Sequence, residues 1–230
     1  MKLQLFNFEN DVFLDSNYIN VIEIHNCKLF ANITQTFSAI SQGMLGLEKL
    51  YLYEDNIEIS FDGNMLYVGD PWQIDFNSKK IQNSLFLILK NSIKNEERIS
   101  KELENYYNEI LTEVRNIADD FEIDLEYAMK IDHNKLFKFL GICICEINAT
   151  TLIDKLTTFL KVVANLQAYK FIVFCNLKLY LNNEALVELY KLSLYLKLPI
   201  LLLETIEKEP LEIEKKLIID ETYDEFIVCK

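Results

Sequence analysis

"KFIVFCNLKLYLNNEALVELYKLSLYLKLPILLLE", Lys170 to Glu204, reads as a strand, a helix and a second strand in succession. "KFIVFCN" and "PILLLE" are short, unbroken apolar runs, the pattern of strands covered on both faces in a parallel sheet. Between them, Glu184 to Leu196 reads as an amphipathic helix. Strand, helix and strand in that order predict a helical crossover between parallel strands. The alternation continues on both sides: a helix over about 150–166, "ICIC" at 142–145 as a strand, a short helix ending at Gly141, and a closing strand in "EFIVCK".

The first 74 residues read as mainly β. "LQLFNF", "YINVIEI", "LEKLYLY", "NIEISF" and "MLYVGD" are rich in Tyr, Ile, Leu and Phe and bounded by Asn, Asp or Gly. One helical segment, about Leu29 to Ile40, interrupts them. The middle differs, because no Gly or Pro occurs between Trp72 and Leu140, and such a span favours long helices. Ile81, Leu85, Ile88 and Leu89 have helical spacing behind Ser78 as a candidate N-cap. A second stripe, Ile99, Leu103, Tyr106, Ile110, Val114, Ile117 and Phe121, has the near-heptad spacing of a face that meets another helix, within the chain or in an oligomer. The expected architecture is an α/β head with a mixed, partly parallel sheet, made from residues 1–74 and 142–230, and an inserted long-helix leg over 75–141.

Composition bounds the function. Half of the 230 residues are apolar, enough for a sizeable core. No apolar run approaches the roughly 20 residues that span a bilayer, and no secretory signal is visible, so a cytoplasmic protein is expected. The five cysteines mostly lie in apolar strings such as "GICICE", read here as small buried hydrophobes rather than a disulfide framework. The net charge of −13 makes the surface as a whole repel nucleic acid. It is unevenly spread: −8 over residues 1–75, −3 over 76–150 and −2 over 151–230, which leaves room for a local basic patch.

A search for catalytic motifs excludes more than it finds. No GxxxxGK[ST] or GxGxxG is present, and "GMLGLEK" (Gly43 to Lys49) has the wrong spacing for a phosphate loop. His25 and His133 lack a nucleophile signature and read as structural. The strongest chemical signal is "DDFEIDLEYA", Asp119 to Ala128. On a helix Asp119, Glu122 and Glu126 share one sector; in an extended segment Glu122, Asp124 and Glu126 share one face. Either arrangement suits a hard divalent cation, and a solvated acidic face would look the same. It is not an EF-hand, since Leu125 stands where that loop needs Gly and Ile131 where it needs Glu. A metal-dependent phosphodiesterase would use the same carboxylates, without a basic or His partner nearby.

Taken in order, "INVIEIHNCKLFANI" (Ile19 to Ile33), "MLYVGDPWQIDFNSKKI" (Met65 to Ile81), "FEIDLEYAMKI" (Phe121 to Ile131), "KLFKFLGICICE" (Lys135 to Glu146) and "KFIVFCNLKLYLNNEAL" (Lys170 to Leu186) resemble the type II-A CRISPR adaptation family Csn-two over nearly the whole chain. The resemblance implies a P-loop-ATPase-like head without phosphate motifs and an inserted helical leg. It also implies a non-catalytic homotetrameric ring that binds Ca²⁺ and threads double-stranded DNA ends without reading sequence, assisting spacer acquisition. Its implied partners are the adaptation integrase proteins and the RNA-guided effector nuclease. By position, the calcium region corresponds to Glu122, Asp124 and Glu126, and Lys138 and Lys155 to basic positions on the DNA-facing inner side, with Lys161 nearby. Family members continue past the equivalent tyrosine with more carboxylates. This chain continues Ala128, Met129, Lys130, which implies fewer or weaker ions.

Overall fold

Every residue of "INVIEI", Ile19–Ile24, is buried, and this strand lies at the heart of a sheet. The computed structural model describes residues 1–15, 17–121, 124–145 and 149–229. The chain divides into two compact units, residues 1–76 with 146–230, and residues 77–145. The first is a mixed α/β unit. Its larger sheet runs in the order β10 (Glu225–Cys229), β9 (Glu214–Ile219), β3 (Ile19–Ile24), β8 (Ile200–Glu204), β7 (Phe171–Cys175) and β6 (Met65–Val68). The five strands from β9 to β6 are parallel and β10 closes the edge antiparallel. A second, antiparallel sheet takes the order β2 (Val12–Phe13), β1 (Lys2–Leu5), β4 (Leu50–Glu54) and β5 (Ile57–Ile59).

Register assigns the faces of the larger sheet. Glu23 pairs with Glu204 and Ile218, so Val21, Glu23, Leu202, Glu204, Glu214 and Lys216 share one face, while Ile22, Ile24, Leu201, Leu203, Leu217 and Ile219 share the other. The second face is the apolar one. It packs on Leu29, Ile33 and Phe37 of α1 (Cys27–Ser41) and on Leu3, Leu5 and Leu52 of the smaller sheet. At roughly 25 cal/mol per Å² of apolar area, this continuous core supplies the main stabilisation of the unit. The first face meets α6 (Asn183–Leu196), which packs beside α5 (Leu152–Leu166).

Capping residues fix where these helices begin. Thr151 Oγ1 accepts the Asp154 amide while its hydroxyl donates to the Asp154 carboxylate, a reciprocal box at the start of α5. Asn182 accepts the Ala185 amide at α6, and Asn26 the Leu29 amide at α1. Both α5 and α6 end on left-handed residues, Gln167 (φ 48°) and Lys197 (φ 53°). The expected β1, β3–β8 and β10 and the expected helices are all present, but β2 and β9 were not anticipated.

The second unit holds α2 (Lys79–Asn95), α3 (Glu97–Ala118) and α4 (His133–Phe139). Ile81 and Phe86 of α2 are buried, and Phe86 meets Phe137 of α4 at 5.4 Å between ring centroids. Ser78 stands at the N-cap position but its hydroxyl makes no cap bond. Ile99 and Leu103 are half-buried as a helix-facing stripe requires, but Tyr106, Ile110, Val114, Ile117 and Phe121 are exposed. Beyond Leu103 the half-buried row is Tyr107, Leu111, Arg115 and Ala118, rotated by about 100° from Tyr106 and Ile110.

"ICIC" is not a strand. Ile144 gives its amide to Asn77 Oδ1 (2.8 Å) and its carbonyl accepts Asn77 Nδ2 (3.0 Å), so a side-chain amide takes the place of a neighbouring strand. The alternation that suggested a strand is instead an alternation of exposure, with Cys143 and Cys145 facing solvent rather than buried.

Candidate metal and nucleic-acid sites

The acidic run begins where α3 ends. Ala118 is the last helical residue, Asp119 is the C-cap and its amide donates to the Arg115 carbonyl. Glu126 therefore lies beyond the helix, which ends at Ala118. Residues 124–128 have no regular secondary structure, and Asp124 and Glu126 are exposed. The segment is held back against α3 at two points: the Arg115 guanidinium lies 5.0 Å from the Tyr127 ring centroid, and the Tyr107 hydroxyl donates to the Ala128 carbonyl at 2.9 Å. Glu122 lies outside the described residues. Among the described residues, no group of three or more His, Cys, Asp or Glu side chains is placed to hold a metal. Carboxylate oxygens are the donors calcium prefers, but two exposed carboxylates fall short of its six to eight ligands, so Asp124 and Glu126 alone do not make the site.

The three lysines sit in different settings. Lys138 is exposed in the last turn of α4. On α5, Lys161 is exposed, whereas Lys155 is half-buried and its ammonium donates to the Trp72 carbonyl at 2.6 Å. Six residues separate the two, about 240° around a helix, so they do not share a face. His133 opens α4 with its ring 6.2 Å from Phe137.

The densest polar chemistry lies elsewhere, where the carboxyl ends of β3 and β8 meet. The helix after β3 packs on one face of the sheet and the helix before β8 on the other, which makes this a topological switch point, the usual ligand position in open α/β sheets. Here the protein's own charges occupy it and extend from it along the first face of the sheet to Glu214 at the amino end of β9. Glu23, Glu204, Glu214, Lys178 and Lys216 are all at most 3% exposed. Glu23 Oε2 takes Lys216 Nζ at 2.7 Å and Glu23 Oε1 takes His25 Nε2 at 3.0 Å. Lys178 Nζ and the Tyr190 hydroxyl both donate to Glu214 at 2.8 Å. Glu204 Oε1 accepts only the Lys178 backbone amide, at 3.1 Å, and its Oε2 has no partner. Burial pushes the Glu204 carboxyl up to about 7, against the opposing pull of the Lys178 amide and the Lys178 and Lys208 charges. Burial and the Glu214 carboxylate push the Tyr190 hydroxyl far above its ordinary range.

Sequence reasoning missed this cluster and β9 together. The strand "EKKLII" looks like a polar loop because Glu214 and Lys216 are charged, and only Glu23, next to last in β3, and Glu204, which ends β8, hint that countercharges are needed.

A family model described as "CRISPR-associated protein (Cas_Csn2)" matches residues 46–223, well over half of the chain. The chain belongs to this CRISPR-associated family. The match runs from the loop after α1 across the helical unit and into the β9–β10 turn of the Cas_Csn2 chain. No curated protein matches the sequence. Among solved structures, a putative ABC transporter ATP-binding protein from Pyrococcus furiosus is similar at a TM-score of 0.40 and 9% identity, covering 94% of this chain and 97% of that one. Among the described residues, no helix is long and apolar enough to cross a membrane.

Proposed function

We propose that this chain is a non-catalytic subunit of a homotetrameric ring that encloses double-stranded DNA ends during CRISPR spacer acquisition, assisted by Ca²⁺. Membership of the Cas_Csn2 family is the observation that carries the reading. The α/β unit is the ring-forming head, without a phosphate loop, and the helices of residues 77–145 form the leg. Glu122, Asp124 and Glu126 contribute to the calcium site, with further oxygen ligands from water or backbone. A ring reconciles an acidic exterior with duplex binding, since Lys138, Lys155 and Lys161 need only line the hole to meet phosphates. The adaptation integrase proteins and the effector nuclease are its partners, in the cytoplasm.

The test uses linear duplex DNA with free ends, incubated with Ca²⁺ or Mg²⁺ and run on a native gel. A shift without cleavage is expected. Cleavage that is lost in Asp124→Asn would replace the ring with a metal-dependent phosphodiesterase. Lys138→Glu is expected to weaken binding for all sequences and lower the salt slope by about 1 per lysine contact; unchanged salt dependence would remove Lys138 from the DNA face.

A further inference from the structure

The loop that follows β8, residues 205–213, leaves the carboxyl end of that strand at the switch point and returns along the sheet to the amino end of the parallel β9. Its tethers end on the buried polar cluster and its immediate neighbours. The Thr205 amide and hydroxyl both bond Asn176 Oδ1 at 3.1 Å, and Lys208 Nζ donates to the Lys178 carbonyl at 2.6 Å. The Lys208 carbonyl accepts Lys216 Nζ, and the Leu211 amide donates to Glu214 at 3.1 Å. The Lys208 amide reaches Glu23 Oε2 at 3.5 Å. Beneath the loop, three fully buried carboxylates face two fully buried ammonium groups, and the unmatched oxygen is Glu204 Oε2.

The groups around Glu204 come from each neighbouring element: Glu23 of β3 and His25 just after it, Cys175 of β7, Lys178 of the turn after β7, Tyr190 of α6, Glu214 and Lys216 of β9, and Lys208 of the loop. Lys178, Lys216 and Tyr190 already donate to Glu214 or Glu23. Of these three lysines, Lys178 and Lys216 each bond a carboxylate, whereas the Lys208 ammonium bonds the Lys178 carbonyl. A neutral Glu204 leaves that bond in place. An ionised Glu204, buried with Oε2 unpartnered, carries the cost of an unsolvated charge, which opening of the loop to water relieves.

We infer that Glu204 is a proton-binding latch: while its carboxyl holds a proton the 205–213 loop stays tied along the face of the sheet, and loss of that proton leaves a buried charge that favours the hydrated, loosened loop. The site belongs to the α/β unit, and the inference does not depend on DNA binding. Because the carboxyl is poised near neutrality, the latch responds within the range a cell experiences.

Amide hydrogen exchange of the intact protein tests it, with protection of residues 205–213 corrected for intrinsic exchange at about pH 6 and about pH 8.5. The wild-type loop is expected to lose protection by roughly tenfold at the higher pH relative to β8, and Glu204→Gln, which mimics the protonated carboxyl, to show no such loss. A wild-type loop whose protection does not change with pH, or a Glu204→Gln variant that keeps the wild-type dependence, would overturn the latch. If the variant fails to fold, the infrared carbonyl band of a buried protonated carboxyl in the wild type decides. Its disappearance over the same pH range supports the proposal, and its absence at the lower pH refutes it.

Discussion

Glu204 shows how one residue couples charge to stability. Its carboxyl sits near 7 in the folded protein against an ordinary 4.5, so the folded state binds a proton more tightly than the unfolded chain. Stability from this group is complete below the unfolded value and is lost as pH rises through the folded one, by up to about 3 kcal/mol. Wild-type stability is therefore expected to fall between about pH 5 and about pH 7.5 from this group. Glu204→Gln removes that slope and makes the protein more stable at alkaline pH by about 1–3 kcal/mol, measured by urea unfolding at several pH values. An equal slope in the variant would mean that another group sets it. Lys216 behaves oppositely: truncation to Ala strands Glu23 in the interior and is expected to cost about 3–5 kcal/mol. Residue-level chemistry of this kind was the least legible part of the sequence. A charged residue in a strand pattern argues for solvent until its partner is known; the partner of Glu23, Lys216, lies in β9, far along the chain, and Glu204 meets only the Lys178 amide.

At the scale of elements, sequence and structure agree where one physical signal dominates. Apolar runs with β-branched and aromatic residues became strands, and helices start on Asn26, Thr151 and Asn182, whose side chains satisfy the first free amides. Thr151→Ala is expected to destabilise the α/β unit by about 1 kcal/mol. Lys197→Gly, at a left-handed helix end, should stabilise it by roughly 0.5–1 kcal/mol, read as a shift of the thermal midpoint. One reading failed for a definable reason: "ICIC" has the composition of a strand but Asn77 binds its backbone. "DDFEIDLEYA" left a helical and an extended form open, and α3 stops at Ala118. The α3 stripe was legible as apolar, but not which half would be covered. Ile110 is 65% exposed, so Ile110→Glu should leave unfolding of the isolated chain within about 0.5 kcal/mol of wild type. A larger loss would show that this position is packed within the chain.

For the molecule as a whole, the α/β class and the partly parallel sheet followed from the order of strands and helices around Lys170 to Glu204. The family was legible from the ordered landmarks, and the family match confirms it. The functional geometry was not. Net charge describes a surface on average, and the contacts that make a hole with a basic lining belong to an assembly rather than to one chain. The ring is the central claim, and the mass of the 27.1 kDa chain in solution tests it most directly. Sedimentation equilibrium with Ca²⁺ present is predicted to give a particle of four chains that loosens when the ion is chelated; a stable monomer under both conditions would contradict the account.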